Sequence, residues 1–136
     1  MKIALLEDNL TNQEFMQTLL VMAGHQVFPF NDATSFLSTL AAAWHSAAAL
    51  PYTFAILDLM LPGPLSGLDA IQHIWETYPP PARLPLIVIS GAGRNLLQEV
   101  RTRFPGVPVI GKPFKTHELL AAIDALELMD ETHPAQ

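Results

Sequence analysis

The stretch FAILD, residues 54–58, is an uninterrupted apolar run that ends at an acid. Four apolar residues without alternation are typical of a strand that is buried on both faces of a parallel sheet. The runs IALL at 3–6 and LIVI at 86–89 repeat this pattern, and each also ends at polar residues. These three runs therefore predict the centre of an α/β sheet.

Two weaker strand candidates, residues 26–30 and 107–110, each contain a proline, Pro29 and Pro108. Proline has no N–H to donate to a ladder, so it belongs on an edge strand. Strands two and five are therefore predicted edges, as the order 2-1-3-4-5 requires. The alternative order 3-2-1-4-5 would bury strand two, and Pro29 counts against it.

Helical patterns alternate with the strands, which predicts a flavodoxin-like doubly wound α/β fold with five parallel strands and helices on both faces. Either Asp32 or Asn31 is the predicted cap of helix two, Ser66 is that of helix three and Thr116 is that of helix five. The alanine-rich residues 41–49 are predicted to extend helix two, since alanine favours helix. The stripes expected to face the sheet are Phe15, Leu19 and Met22; Phe36, Leu37 and Leu40; Ile71, Ile74, Trp75 and Tyr78; Leu97, Val100 and Phe104; and Leu119, Leu120, Ile123 and Leu126.

Length and composition narrow the class of protein. The 136 residues suit one domain, and the absence of cysteine excludes disulfides and thiolate chemistry. Seven Lys and Arg against thirteen Asp and Glu give a formal charge of -6, which argues against direct nucleic-acid binding. No apolar run has the length of a membrane span, and no signal peptide is visible. A cytoplasmic domain over residues 1–129 with a polar tail over 130–136 is expected.

Polar side chains follow four of the predicted strands, namely Glu7, Asp8, Asp58, Ser90 and Lys112. In the order 2-1-3-4-5, ligands bind beyond the carboxyl ends of strands one and three, where the strand order reverses. A few carboxylates beside open positions suit Mg²⁺, and a carboxylate next to that ion can attack phosphorus to form an acyl phosphate. Lys112 would supply the fixed positive charge that phosphoryl transfer needs, and Ser90 a hydroxyl donor.

Each of these residues also has a purely structural interpretation. Asp8 could cap the helix that follows it, Ser90 could belong to a plain turn, and Lys112 could be solvated. What favours a site is their occurrence together at the ends of four strands.

The sequence resembles the receiver domain of two-component response regulators from Lys2 to about Leu128. The resemblance rests on the segments LLEDN at 5–9, DLMLPG at 58–63 with SGLD at 66–69, ISG at 89–91 and GKPF at 111–114. It implies that Asp58 accepts a phosphoryl group from a phosphohistidine on a histidine kinase or a histidine phosphotransfer protein. Such a protein catalyses only its own phosphorylation and slow autodephosphorylation, and is not an enzyme acting on a separate substrate.

The resemblance also implies roles for the neighbouring residues. Asp8, Asp58 and the carbonyl of Met60 would ligate Mg²⁺, and Glu7 would act mostly through water. Ser90 and Lys112 would contact the phosphoryl oxygens, and the peptide between Lys112 and Pro113 would be cis. Helix four, strand five and helix five would form the docking face for a downstream effector protein or a second copy.

One departure from the family pattern leaves an alternative open. Val109 stands where the family usually has an aromatic residue that moves inward on phosphorylation. A receiver-like interaction module that signals without phosphorylation is therefore the alternative. A third possibility, a nucleotide-binding enzyme, rests on Gly91 and Gly93 after a strand, but Leu96 occupies the place of the third fingerprint glycine.

Overall fold

A computed structural model describes residues 1–47 and 49–132. In this part of the chain five strands alternate with five α-helices, and a short 3₁₀ turn lies at Pro80–Ala82. The strands are β1 (Lys2–Leu6), β2 (Gln26–Phe30), β3 (Phe54–Leu57), β4 (Leu86–Ser90) and β5 (Val109–Gly111). The helices are α1 (Leu10–Met22), α2 (Ala33–His45), α3 (Gly67–Thr77), α4 (Arg94–Arg103) and α5 (Thr116–Thr132).

The sheet is parallel throughout and has the order β2-β1-β3-β4-β5, which confirms the predicted fold class. Leu6 is in register with Leu57, and Ser90 is in register with Gly111. The residues that follow these positions therefore emerge at the same edge of the sheet.

Two apolar clusters cover the two faces of the sheet, as a doubly wound fold requires. On one face α1 and α5 pack through residues such as Leu20 and Ile123. On the other face α2, α3 and α4 pack through residues such as Phe36, Ile71 and Val100. β3 is buried at all four positions, because helices cover it on both sides.

The predicted inner stripe of α1 is wrong at two of its three positions, because only Leu19 packs against the core. Phe15 is 57% exposed and Met22 is 82% exposed, whereas Met16 and Leu20 are buried. The helix is apolar on more than one side, so 3.6-residue periodicity allowed two stripes. The packing of α1 against the sheet selects the stripe that contains Met16 and leaves Phe15 toward solvent.

Pro108 lies just before β5 instead of inside it, since the strand begins at Val109. Its carbonyl oxygen still accepts a hydrogen bond of 2.9 Å from the Val88 N–H of β4. The prediction of strand five as an edge is correct, while the predicted start of the strand is not. Proline can accept in a ladder although it cannot donate.

Helix α2 ends at His45, so the alanine-rich stretch extends it for only part of its length. Ser46 follows as the C-cap, its hydroxyl donating to the Ala43 carbonyl at 3.2 Å, and Ala47 has a left-handed φ of 57°. Alanine content favours helix but does not indicate where the chain must turn back toward the sheet. Ala48 lies outside the described residues.

Helix α5 continues to Thr132, past the expected domain boundary at residue 129. Residues 130–132 therefore extend the last helix, while 133–136 lie outside the described residues. Thr116 is the first helical residue and not the cap. The N–H of the preceding Lys115 donates a hydrogen bond to Glu118 Oε1 at 3.1 Å. None of the helices in the described ranges combines the length and apolar character needed to cross a bilayer.

Candidate functional site

Glu7 and Asp58 directly follow two neighbouring strands, β1 and β3. The Asp58 N–H donates to the Leu6 carbonyl at 3.1 Å, which continues the β1–β3 ladder by one residue. Both acids are buried, at 3% exposure for Glu7 and 7% for Asp58. Two acids are thus held at the place where the strand order reverses.

Lys112 bridges these two acids. Its Nζ donates to Glu7 Oε1 and to Asp58 Oδ2, each at 2.7 Å. The Lys112 N–H donates to the Ser90 carbonyl at 2.9 Å, and the Lys112–Pro113 peptide is cis, as the resemblance implied. A lysine that engages two buried carboxylates is not a solvated surface charge, so that structural interpretation is wrong.

Ser90 and the loop after β3 hold the other oxygen of Asp58. The Ser90 hydroxyl donates to Asp58 Oδ1 at 2.9 Å, and the Met60 N–H donates to the same atom at 3.0 Å. The Ser90 oxygen in turn accepts from the Ala92 N–H at 3.1 Å. The Asp58 carboxylate is therefore fixed by donors at both oxygens.

The pKa of Lys112 results from opposing effects. Burial disfavours the ammonium form and lowers the pKa, but the hydrogen bonds and charges of Asp58 and Glu7 outweigh it. The net result is a Lys112 pKa above its ordinary value of 10.5. The ammonium is therefore charged at neutral pH and available to a developing negative charge.

Lys112→Met is expected to destabilise the fold at about pH 8 by about 1–2 kcal/mol. This is less than the roughly 3–5 kcal/mol for a fully buried pair, because solvent screens the partly exposed Lys112. The pKa is raised in the folded state, so the stabilisation is complete below 10.5 and is lost as pH rises through the folded value. The difference between wild type and variant should therefore shrink near pH 11.

Urea unfolding of both proteins at the two pH values measures this difference. Burial raises the pKa of Tyr52 and Tyr78 as well, so both proteins lose stability in alkali through tyrosine ionisation. That loss is the same in the wild type and the variant, so it cancels in the difference between their free energies of unfolding. A difference that stays constant with pH would mean that Lys112 contributes through its methylene chain instead of its charge.

Asp8 is exposed, and it does not cap α1. Asn9 is the N-cap, with its Oδ1 accepting from the Asn12 N–H at 3.0 Å. The Asn9 N–H also donates to Glu7 Oε2 at 3.3 Å. Asp8 thus has no role in the helix cap.

The donor set suits Mg²⁺ in chemistry, although Lys112 lies between two of the acids. Within the described ranges no group of three acids or histidines is already close enough to hold a metal ion. The oxygens of Glu7 and Asp58 nevertheless converge on one atom at 2.7 Å each, so a small movement brings them within reach of a common ion. Mg²⁺ prefers hard oxygens and keeps several waters, so two or three carboxylates are sufficient. The Glu7 and Asp58 side chains therefore fit this ion, whereas the structure does not group the exposed Asp8 with them.

Gly67 was not singled out by the sequence patterns as a site residue. It follows the Ser66 cap, whose hydroxyl accepts from the Asp69 N–H while the Asp69 carboxylate accepts from the Ser66 N–H. The Gly67 N–H donates to the Leu59 carbonyl at 3.0 Å. A Cβ at Gly67 would collide with the carbonyl oxygen of Asp58 and lie 2.6 Å from Leu59 Cα. The start of α3 thus fits against the backbone of Asp58 only because residue 67 lacks a side chain.

A groove of about 440 Å³ lies beside Lys112, between α1 and the loop after β5. Exposed apolar side chains surround this end of the molecule, including Leu10 at 65%, Phe15 at 57% and Met60 at 62%. We call Leu10, Phe15 and Met60 the apolar rim. The groove is lined by Asn12, Phe15, Met16, Lys112, Pro113 and Phe114.

Residues 3–124 match the response regulator receiver domain family. The chain is 30% identical over 124 residues to the transcriptional regulatory protein GltR of Pseudomonas aeruginosa, covering 91% of this chain and 48% of GltR. It is 25% identical over 123 residues to the transcriptional regulatory protein FixJ of Bradyrhizobium diazoefficiens, covering 90% of this chain and 55% of FixJ. The chain thus spans about half the length of these curated relatives.

Solved structures show the same fold. Full-length FixJ superposes with a TM-score of 0.76 at 24% identity, covering 98% of this chain and 59% of FixJ. The receiver domain of a Pseudomonas aeruginosa sensor histidine kinase superposes with a TM-score of 0.68 at 26% identity, covering 92% of this chain and 95% of that domain. That domain holds a magnesium ion in its active-site cleft. Because residues 3–124 match this family, the chain belongs to the response regulator receiver domain family.

Proposed function

We propose that residues 1–129 form a receiver domain in which Asp58 accepts a phosphoryl group from a phosphohistidine. The donor would be a histidine kinase or a histidine phosphotransfer protein, and phosphorylation would change the affinity for a downstream partner. The observation that supports this most directly is the Asp58 carboxylate, buried and held by Lys112 at one oxygen and by Ser90 at the other.

In the proposed reaction a carboxylate oxygen of Asp58 attacks the phosphorus atom. The P–N bond of the phosphohistidine breaks, and its electron pair returns to the imidazole nitrogen. The product is an acyl phosphate on Asp58. Lys112 carries a fixed positive charge next to the reacting carboxylate, where negative charge develops on the transferred oxygens.

The new group changes the hydrogen bonds of the site. A phosphoryl group carries roughly -1.5 to -2 charges and three acceptor oxygens. Lys112 and Ser90, which now donate to the Asp58 carboxylate, are the nearest donors available to those oxygens. We therefore expect both side chains to exchange the carboxylate for the phosphoryl group, and the loops that carry them to move with them.

Asp8, Asp58 and the Met60 carbonyl would hold Mg²⁺, with Glu7 acting through water. When bound, the ion would neutralise negative charge on the transferred group. Asp8 and Glu7 follow β1, which lies on one side of β3 in the sheet. Ser90 and Lys112 lie on β4 and in the loop after β5, on the other side. The carboxylate of Asp58 would then have metal-binding acids on its β1 side and phosphate-binding donors on its β4 side, with Lys112 also in contact with Glu7.

The test is incubation of the chain with acetyl phosphate and Mg²⁺, followed by intact-mass spectrometry. Addition of one phosphoryl group that is labile to hydroxylamine is the expected result, because hydroxylamine cleaves acyl phosphates. Absence of any adduct, with both acetyl phosphate and phosphohistidine donors, would favour the phosphorylation-independent module. Val109, half-buried on β5 where the family usually has an aromatic residue, is the observation behind that second candidate.

The phosphohistidine donor must cover Asp58, so we expect it to contact the apolar rim. Phe15→Ala is predicted to slow transfer from a phosphohistidine protein about tenfold. The substitution removes one aromatic contact with the donor, and a contact of about 1.4 kcal/mol corresponds to a factor of about ten. Labelling by acetyl phosphate, which needs no protein contact, should be unchanged. Transfer rates from both donors measure the effect.

Met22→Ala is the control, since Met22 is also apolar and exposed but is the last residue of α1. It should leave both rates unchanged. Equal slowing by the two variants, or slowing of the acetyl phosphate reaction by Phe15→Ala, would contradict contact at the apolar rim.

A further inference from the structure

Gln13 is a buried polar residue outside the site described so far. Among the side chains that the structure describes, the buried polar and charged residues are few, and three of them are the site residues Glu7, Asp58 and Ser90. Gln13, 9% exposed and near the start of α1, is the fourth. A buried amide at a helix position otherwise occupied by apolar residues requires partners, and its partners lie next to the acids.

The Gln13 side-chain amide joins three segments of the chain. Its Nε2 donates to the backbone carbonyl of Glu7 at 2.9 Å and to Asn31 Oδ1 at 3.1 Å. An amide nitrogen has two hydrogens, so both are used. One nitrogen of α1 thus connects the end of β1 with the loop between β2 and α2.

The carbonyl that Gln13 holds belongs to the peptide between Glu7 and Asp8. A peptide unit is planar, so fixing its oxygen fixes the rotation of the whole unit and the direction in which Asp8 leaves the strand. The other groups of Glu7 are held independently: its N–H donates to the Phe30 carbonyl at 3.2 Å, and its carboxylate accepts from Lys112. The hydrogen bond from Gln13 therefore restricts the orientation of Asp8, which is exposed and does not take part in the α1 cap.

We propose that Gln13 is a positioning residue for the divalent cation, with Asn31 orienting its amide. By fixing the peptide between the two acids, it would align Glu7 and Asp8 toward one ion. This inference rests on the proposed function, since it concerns the Mg²⁺ site of that function. Residues that orient metal ligands typically change metal affinity by about 10–100-fold when they are replaced.

Gln13→Met tests the proposal, because methionine has a similar volume but no donor. We expect calorimetric titration to show an Mg²⁺ dissociation constant about tenfold higher than that of the wild type. Labelling by acetyl phosphate should require correspondingly more Mg²⁺ but recover to within about twofold at saturating Mg²⁺, as expected of a positioning residue. Gln17→Met is the matched control one turn along α1, and it should bind Mg²⁺ like the wild type.

Asn31→Ala is a second variant, at an exposed position. It tests the same proposal if Gln13→Met does not fold. It should weaken Mg²⁺ binding by about threefold, and the double variant should be no weaker than Gln13→Met alone, since both act through one hydrogen-bonded unit. Wild-type affinity in Gln13→Met, or in Asn31→Ala where Gln13→Met is unfolded, would overturn the inference while leaving the proposed function intact. A wild-type chain that binds no Mg²⁺ would overturn both.

Discussion

Asp58→Asn is expected to reduce phosphoryl incorporation to background, with acetyl phosphate and with a phosphohistidine protein alike. The amide has nearly the shape of the carboxylate but no anionic oxygen to attack phosphorus. Lys112 keeps its second partner, Glu7, in this variant, so the site retains an ion pair. The fold should therefore persist, with a single cooperative unfolding transition. Intact-mass spectrometry and thermal unfolding measure the two properties.

Asp124→Asn is a suitable control, because Asp124 is an exposed acid on α5 away from the carboxyl edge of the sheet. This substitution also replaces a carboxylate with an amide, and the variant should incorporate phosphoryl groups like the wild type. Labelling of Asp58→Asn at a substantial fraction of the wild-type level would mean that another residue is the acceptor. Loss of the folded structure in Asp58→Asn would mean that the Asp58 carboxylate is primarily structural.

Gly67→Ala is expected to destabilise the chain by about 2–4 kcal/mol, a large effect for one methyl group. The new Cβ would lie 2.6 Å from Leu59 Cα and 2.9 Å from the Asp58 carbonyl carbon, both of which are backbone atoms. Backbone cannot rotate away as a side chain can, so either α3 or the segment after β3 must shift. Because that segment carries the candidate acceptor, the labelling rate should fall together with the free energy of unfolding.

Gly93→Ala is the matched control, since a Cβ at Gly93 meets nothing within 4 Å. Gly93 is the N-cap of α4, where replacing glycine with alanine costs less than about 1 kcal/mol. Urea unfolding and acetyl phosphate labelling of both variants measure the comparison. Similar losses from the two substitutions would mean that the close approach of Gly67 to Asp58 does not account for the effect, since the entropy change of a glycine-to-alanine substitution favours the folded state.

Local patterns predicted much of the fold because each depends on a few neighbouring residues. The run at 54–57 forms a central strand, and Pro29 lies on an edge strand as proline requires. Ser66 caps α3 as expected, and Asp32, one of the two candidates for α2, is the cap of that helix. The prediction of the inner stripe of α1 failed at Phe15 and Met22 because the helix is apolar on more than one side. The local sequence does not indicate which of these sides packs against the sheet.

The sequence by itself determined which residues reach the carboxyl edge of the sheet, because parallel strands end at the same edge and Glu7, Asp58 and Ser90 stand at strand ends. Only the tertiary structure decided their contacts. Lys112 meets Glu7 across 105 positions in the chain and Asp58 across 54. The close approach of Gly67 and the hydrogen bonds of Gln13 likewise depend on how α3 and α1 pack on the sheet. Such contacts follow from packing between distant segments, and no local pattern of residues encodes their distances.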